Sequence, residues 1–139
     1  MRSLRILVVD DHADSAQALA KLLQHEGHSV ATAYTLAGAL ALGTAAPLDM
    51  LVCDVDLPHG DGSELLRRLQ SFRGGRELPA IAVTGFGNEW LEVCRMAGYR
   101  TFLTKPVEFV NLLKAIESLQ PHDLVALGGV PSPSAVSAP

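Results

Sequence analysis

The sequence predicts an α/β fold: a doubly wound, mostly parallel sheet of five strands with helices on both faces. Three observations carry that reading. Ile6-Leu7-Val8-Val9, Met50-Leu51-Val52-Cys53 and Ala80-Ile81-Ala82-Val83 are short apolar runs without a polar interruption, the pattern of strands buried on both faces. The stretches between them repeat apolar residues at helical spacing. Strand and helix signals also alternate in five successive units, which is the order of a parallel sheet with crossover helices.

Each element has its own local signal. After the first run, Asp14 and Ser15 offer caps, and Ala16, Leu19, Ala20 and Leu23 place one apolar face on a helix that Gly27 ends. His28 to Ala33 is a weaker strand, expected near an edge. Thr35 caps an Ala- and Leu-rich helix to about Ala45, and Pro47 stops its continuation. Past the third-strand run, Pro58-His59-Gly60-Asp61-Gly62 is turn chemistry. Leu65, Leu69 and Phe72 then mark a helical stripe closed by Gly74-Gly75. Trp90, Val93, Cys94 and Ala97 mark a helix after the fourth run, Tyr99 to Leu103 a fifth strand, and Phe109, Leu112, Leu113, Ile116 and Leu119 the last helix.

Length and composition bound the function. The 139 residues suit one domain, 1–120, followed by a Pro-, Ser- and Ala-rich stretch, 121–139, read as a flexible tail or linker. With 48% hydrophobic and 19% charged residues the chain is globular and not disordered. A net charge of −4 supplies no excess positive field for binding nucleic acid directly. No apolar run approaches the ~20 residues that span a bilayer, so no membrane insertion is expected. Cys53 and Cys94 sit in separate apolar runs outside any CxxC pattern and read as buried free thiols. With no signal peptide evident, the cytoplasm is the expected location.

The residues just past the strands carry the chemistry. They are Asp10-Asp11, Asp54, Thr84 and Lys105. Ligands of open α/β sheets bind outside the carboxyl ends of the strands, and the predicted topology brings these separated points to one rim. Neighbouring carboxylates repel one another, and burial adds to the cost. A hard divalent cation offsets that charge. Mg²⁺ (or Mn²⁺) fits, since Mg²⁺ binds one or two carboxylates, keeps waters and meets phosphate oxygens. Lys105 supplies a point charge and Thr84 a hydroxyl donor. The inventory matches in-line phosphoryl transfer to a carboxylate nucleophile, Asp54.

These pieces resemble the receiver domain of bacterial response regulators in two-component systems. The matching segments are Ile6-Leu7-Val8-Val9-Asp10-Asp11, Asp54 with Pro58, Asp61 and Gly62, Val83-Thr84-Gly85, and Phe102-Leu103-Thr104-Lys105-Pro106. The resemblance implies the flavodoxin-like strand order 2-1-3-4-5 and acceptance of a phosphoryl group by Asp54 from a histidine kinase or histidine phosphotransfer protein. It implies metal binding by Asp10, Asp11, Asp54 and the backbone carbonyl of Asp56, phosphoryl contacts from Thr84 and Lys105, and a cis Lys105-Pro106 bond. Thr84 and Phe102 become switch residues, and the surface of the fourth helix, fifth strand and fifth helix becomes the output face. The chain is then a signalling switch with intrinsic autophosphorylation and autodephosphorylation chemistry, and not an enzyme acting on an external substrate.

The resemblance fits both a single-domain regulator and the receiver module of a hybrid histidine kinase. Phe102 stands where Tyr is common, and Phe86 and Asp56 flank the site, where they are expected to influence loss of the phosphate. Two competing readings remain at this point. A haloacid-dehalogenase-like phosphatase is suggested by Asp54-Val55-Asp56, although that motif normally follows the first strand. A pseudo-receiver that takes no phosphate is opposed by the complete set of acids, Thr84 and Lys105.

Overall fold

The structure is a computed structural model that describes residues 3–57, 62–85 and 91–119, together with the backbone of 133–134 and 136–137. Five strands, β1 (Arg5–Val9), β2 (Ser29–Ala33), β3 (Met50–Asp54), β4 (Ala80–Thr84) and β5 (Thr101–Thr104), alternate with helices α1 (Ala13–His25), α2 (Leu36–Ala45), α3 (Gly62–Phe72), α4 (Leu91–Ala97) and α5 (Phe109–Leu119). The strands form one sheet in the order β2-β1-β3-β4-β5, with every neighbouring pair parallel. The flavodoxin-like fold and its strand order are as the sequence and the resemblance predict. In the tail, Pro133–Ser134 and Val136–Ser137 pair as a separate two-stranded ribbon.

The alternation of side chains across a strand divides the interior into two cores. Leu7, Val9, Leu51, Cys53, Ala80 and Ala82 face a cluster completed by Ala39, Leu65, Leu66, Leu69 and Cys94 from α2, α3 and α4. Ile6, Val8, Met50, Val52, Ile81 and Val83 face the other side, against Ala16 and Leu23 of α1 and Leu112 and Ile116 of α5. This two-sided burial explains why β1, β3 and β4 are continuous apolar runs and why β2, on the sheet edge, is not.

Local signals hold where backbone chemistry alone decides. Thr35 Oγ1 accepts from the Gly38 amide at 3.0 Å and caps α2. Gly27 ends α1 with φ +98°, a conformation that a side chain disfavours. Both cysteines are free and buried, as expected.

Other expectations are corrected. Asp14 and Ser15 lie inside α1, whose N-cap is His12, and His12 makes no side-chain capping bond. The second strand starts at Ser29, because His28 is buried beside β1 and accepts from the Leu4 amide through Nδ1 at 3.1 Å. Phe72 is 64% exposed, whereas Leu66 takes its place in the core. Val93 is likewise exposed, so α4 packs through Cys94 and Ala97. The fifth strand is Thr101–Thr104, two residues later than expected. Tyr99 is instead a buried anchor, donating from its hydroxyl to the Gly62 carbonyl at 2.7 Å. Pro58, His59, Asp61, Phe86, Trp90 and most of the predicted tail lie outside the described residues.

Candidate functional site

Register brings the site together. Val9 pairs with Cys53, so Asp10 and Asp54 leave adjacent strands at the same level. Asp54 pairs with Val83, and Thr84 pairs with Thr104, the residue before Lys105. Backbone bonds hold the chain where it leaves the sheet. The Asp10 amide donates to Ala33 O at 3.1 Å, the Val55 amide to Val83 O at 3.0 Å and the Lys105 amide to Thr84 O at 2.9 Å. The glycine after the third-strand turn has a steric cause. A Cβ on Gly62 would lie 2.9 Å from Val55 Cγ1, 3.0 Å from Val55 Cα and 3.1 Å from Cys53 Sγ. Helix α3 can therefore close onto the end of β3 only without a side chain there.

Asp54 is 2% exposed and ends β3. Both of its oxygens are occupied. Oδ2 accepts from Lys105 Nζ at 2.5 Å, and Oδ1 accepts from the Asp56 amide at 2.9 Å. Burial works to lower the pKa of Lys105, but the hydrogen bond and charge of Asp54, with the charges of Asp10 and Asp11, outweigh it and raise the pKa above its ordinary value. Lys105 is thus held as an ammonium. The neighbouring Cys53 thiol is pushed up to about 12 by its burial and stays protonated.

Asp10 is also buried, and its Oδ1 accepts from the His12 amide at 2.9 Å. Asp11 is half-buried. Asp10, Asp11 and His12 each bring a ligand atom within 4.8 Å of the others. The donors at this rim are chiefly carboxylate oxygens, with one ammonium among three acids. That chemistry fits a hard divalent cation. Asp56 is exposed, and its carboxylate accepts from the Gly85 amide at 3.3 Å, bridging the ends of β3 and β4.

The predicted residues therefore fall as follows. Asp10, Asp11, Asp54, Thr84 and Lys105 all stand at the carboxyl ends of β1, β3, β4 and β5, with Thr84 buried at the end of β4. The Lys105-Pro106 bond is cis. Phe102 is half-buried two register steps before the Thr84–Thr104 pair at the rim, packed on the α2–α3–α4 core, with the Arg95 guanidinium 5.9 Å from its ring centre. His12 stands at the N-cap of α1. It is exposed, but its Nδ1 stands 3.4 Å from Asp11 and 3.5 Å from Asp10. Its position directly after the acid pair was the available signal. A cleft of about 630 Å³ opens beside Asp10, Asp54 and Lys105, walled by Leu19 and Leu22 of α1 and by Pro106 and Val107.

Residues 6–117 match the family described as the response regulator receiver domain. The chain belongs to that family. This receiver domain is 32% identical over 116 residues to protein PilH of Pseudomonas aeruginosa, covering 83% of the chain and 96% of PilH. It is 30% identical over 122 residues to the sensory/regulatory protein RpfC of Xanthomonas campestris. That match takes in 86% of the chain and 17% of RpfC, so the receiver spans a small part of that relative. Among solved structures it resembles a Burkholderia pseudomallei response regulator crystallised with a phosphorylated aspartic acid, a calcium ion and citrate. The TM-score is 0.74 at 25% identity, covering 85% of this chain and 67% of that one. No helix among the described residues is long and apolar enough to cross a membrane.

Proposed function

We propose that the chain is a phosphoacceptor switch in which Asp54 takes a phosphoryl group from a phosphohistidine on a histidine kinase or phosphotransfer protein, in a Mg²⁺-dependent step. The observation that carries this reading is the 2.5 Å contact between the Lys105 ammonium and the buried carboxylate of Asp54, beside the acid pair of β1. The phosphorylated aspartate in the similar Burkholderia regulator supports it.

An Asp54 carboxylate oxygen attacks phosphorus in line with the donor nitrogen. The P–N bond breaks as the P–O bond forms, and the donor imidazole retains the electron pair and takes up a proton. Lys105 releases Oδ2 and follows the negative charge onto the phosphoryl oxygens. The Thr84 hydroxyl donates to one of those oxygens. Asp10, Asp11, Asp54 and the Asp56 carbonyl would hold the cation, which supplies charge neutralisation between the incoming phosphoryl group and the carboxylates. Hydrolysis of the acyl phosphate resets the switch, with the Asp56 side chain beside the path of the attacking water. No external substrate is turned over.

The cleft walled by Leu19, Leu22, Pro106 and Val107 offers the donor protein an apolar landing next to Asp54. Output runs through α4, β5 and α5, a reading supported by the exposure of Val93 and Met96 on α4 and Val110 on α5. Movement of Thr84 toward the phosphoryl group would release Phe102 from its packed position and alter that face. The setting is cytoplasmic, where the kinase donor operates.

The decisive test is incubation with Mg²⁺ and acetyl phosphate, followed by intact mass measurement. A phosphate-sized gain is expected, abolished in Asp54→Asn and suppressed by EDTA. Persistence of the gain in Asp54→Asn would place the acceptor elsewhere.

A further inference from the structure

Resting on the reading of Asp54 as the phosphoacceptor, we propose that Asp56 is a positioning residue for the switch. Its side chain latches the Thr84–Gly85 peptide in the unphosphorylated protein, and phosphorylation of Asp54 opens the latch.

Four contacts build this relay. The Asp56 amide donates to Asp54 Oδ1 at 2.9 Å. The Asp56 carboxylate accepts through Oδ2 from the Gly85 amide at 3.3 Å. One residue thus touches the phosphoacceptor with its backbone and the end of β4 with its side chain. The Gly85 N–H belongs to the same planar unit as the Thr84 carbonyl, and that carbonyl accepts from the Lys105 amide at 2.9 Å. The peptide is therefore held on both sides, from β3 through Asp56 and from β5 through Lys105. A Cβ on Gly85 would meet Lys105 Cδ at 3.7 Å, so the latched peptide lies along the lysine that pairs with Asp54. Turning the Thr84 backbone toward a phosphoryl group requires one of these bonds to give. The bond to Asp56 is the longest of them, and Asp56 is exposed, so water can take its place.

Phosphorylation acts on the latch twice. The Asp54 carboxylate becomes an acyl group, so the Asp56 amide exchanges a charge-assisted bond for a weaker neutral one. The phosphoryl group also brings further negative charge toward the Asp56 carboxylate, and like charges repel. Both effects loosen Asp56 from Gly85 and free the Thr84–Gly85 peptide.

The test compares the untagged full chain as wild type, Asp56→Asn and Asp56→Ala, with folding checked by circular dichroism. Both variants lose the charge and keep the backbone carbonyl, but only Asn keeps an acceptor for the Gly85 amide. In the unphosphorylated protein, hydrogen exchange of the Gly85 amide should be about threefold to tenfold faster in Asp56→Ala than in Asp56→Asn. With Mg²⁺ and acetyl phosphate, the initial rate of mass gain should be higher in Asp56→Ala than in Asp56→Asn, by about twofold or more. The Gly85 amide resonance of wild type should move as the phosphate is gained. If the two variants agree in either rate, Asp56 acts through its charge alone and the latch fails. An unmoved Gly85 resonance in phosphorylated wild type also overturns it. If wild type gains no phosphate at all, the reading of Asp54 fails first, and the latch with it.

Discussion

The two ends of the sheet handle charge in opposite ways. At the amino end, Arg5 reaches Asp49 through Nε at 3.1 Å and Nη2 at 3.2 Å, and its own amide donates to the same carboxylate at 2.8 Å. Arg73 ties the Leu48 and Glu77 carbonyls together just before β3 and β4. His28 accepts from Leu4 where β1 begins. Each of these contacts joins one segment to its neighbour, and the charge is spent within the fold. At the carboxyl end, Asp10, Asp11 and Asp54 gather around one ammonium, Lys105, with an open cleft beside them. Like charges brought together are costly to a folded chain unless a ligand repays them. The amino end therefore serves stability, and the carboxyl end is built around something that binds.

Substitutions at the two ends should separate accordingly. The largest effect is expected from Lys105→Ala, which removes the ammonium from the buried Asp54. Phosphorylation by acetyl phosphate should slow by about a hundredfold, measured as the rate of mass gain. A wild-type rate would show that the 2.5 Å contact has no part in transfer. Next comes Gly62→Ala, where the new methyl meets Val55 and Cys53 at the back of the site. A loss of about 1–3 kcal/mol is expected in chemical denaturation, and an unchanged midpoint would mean that α3 shifts freely.

A smaller effect at the amino end depends on pH. Burial holds the His28 pKa below its ordinary value of 6.5, with a lesser, opposing influence from the charge of Glu26. The unfolded chain therefore takes up a proton near pH 6.5 while the folded chain resists it. The His28 contribution is complete above that pH and is lost as pH falls from 6.5 toward the lowered folded value, by at most about 1.4 kcal/mol per pH unit. Denaturation midpoints of wild type and His28→Gln compared between pH 7.5 and 5 should show a shallower slope in the variant. Equal slopes would clear His28 of that role. The smallest effect is expected from Asp49→Asn. It removes the charge from an ion pair whose Arg5 end is exposed, so stability should fall slightly at low salt, less at high salt, and the phosphorylation rate should not move. A slower rate in that variant would break the division between the two ends.

Much of this was legible in the chain because it depends on local chemistry. Ile6–Val9, Met50–Cys53 and Ala80–Val83 are apolar at every position, so both faces had to be covered. The polar residue after each run then marked the rim. Less was legible where one position has two equally good local roles. Phe72 and Leu66 both suit the inner face of α3, and only the packing of neighbouring elements sends Phe72 to solvent. Tyr99 suits a strand, but its hydroxyl finds the Gly62 carbonyl and stays before β5 as an anchor. His28 carries no sequence signal for burial, since its Leu4 partner is 24 residues away.

The sequence by itself determined which segments are strands and helices, that the sheet is parallel, and that acids, a threonine and a lysine stand at the strand ends. Those follow from side-chain periodicity and turn chemistry, which act over a few residues. The tertiary structure alone decided the separations: Lys105 reaches Asp54 across 51 residues of chain, His12 turns to the acid pair, and Gly62 lies too close to Val55 to carry a side chain. Distances of that kind depend on strand register and on how each helix seats on the sheet, and no local pattern contains them.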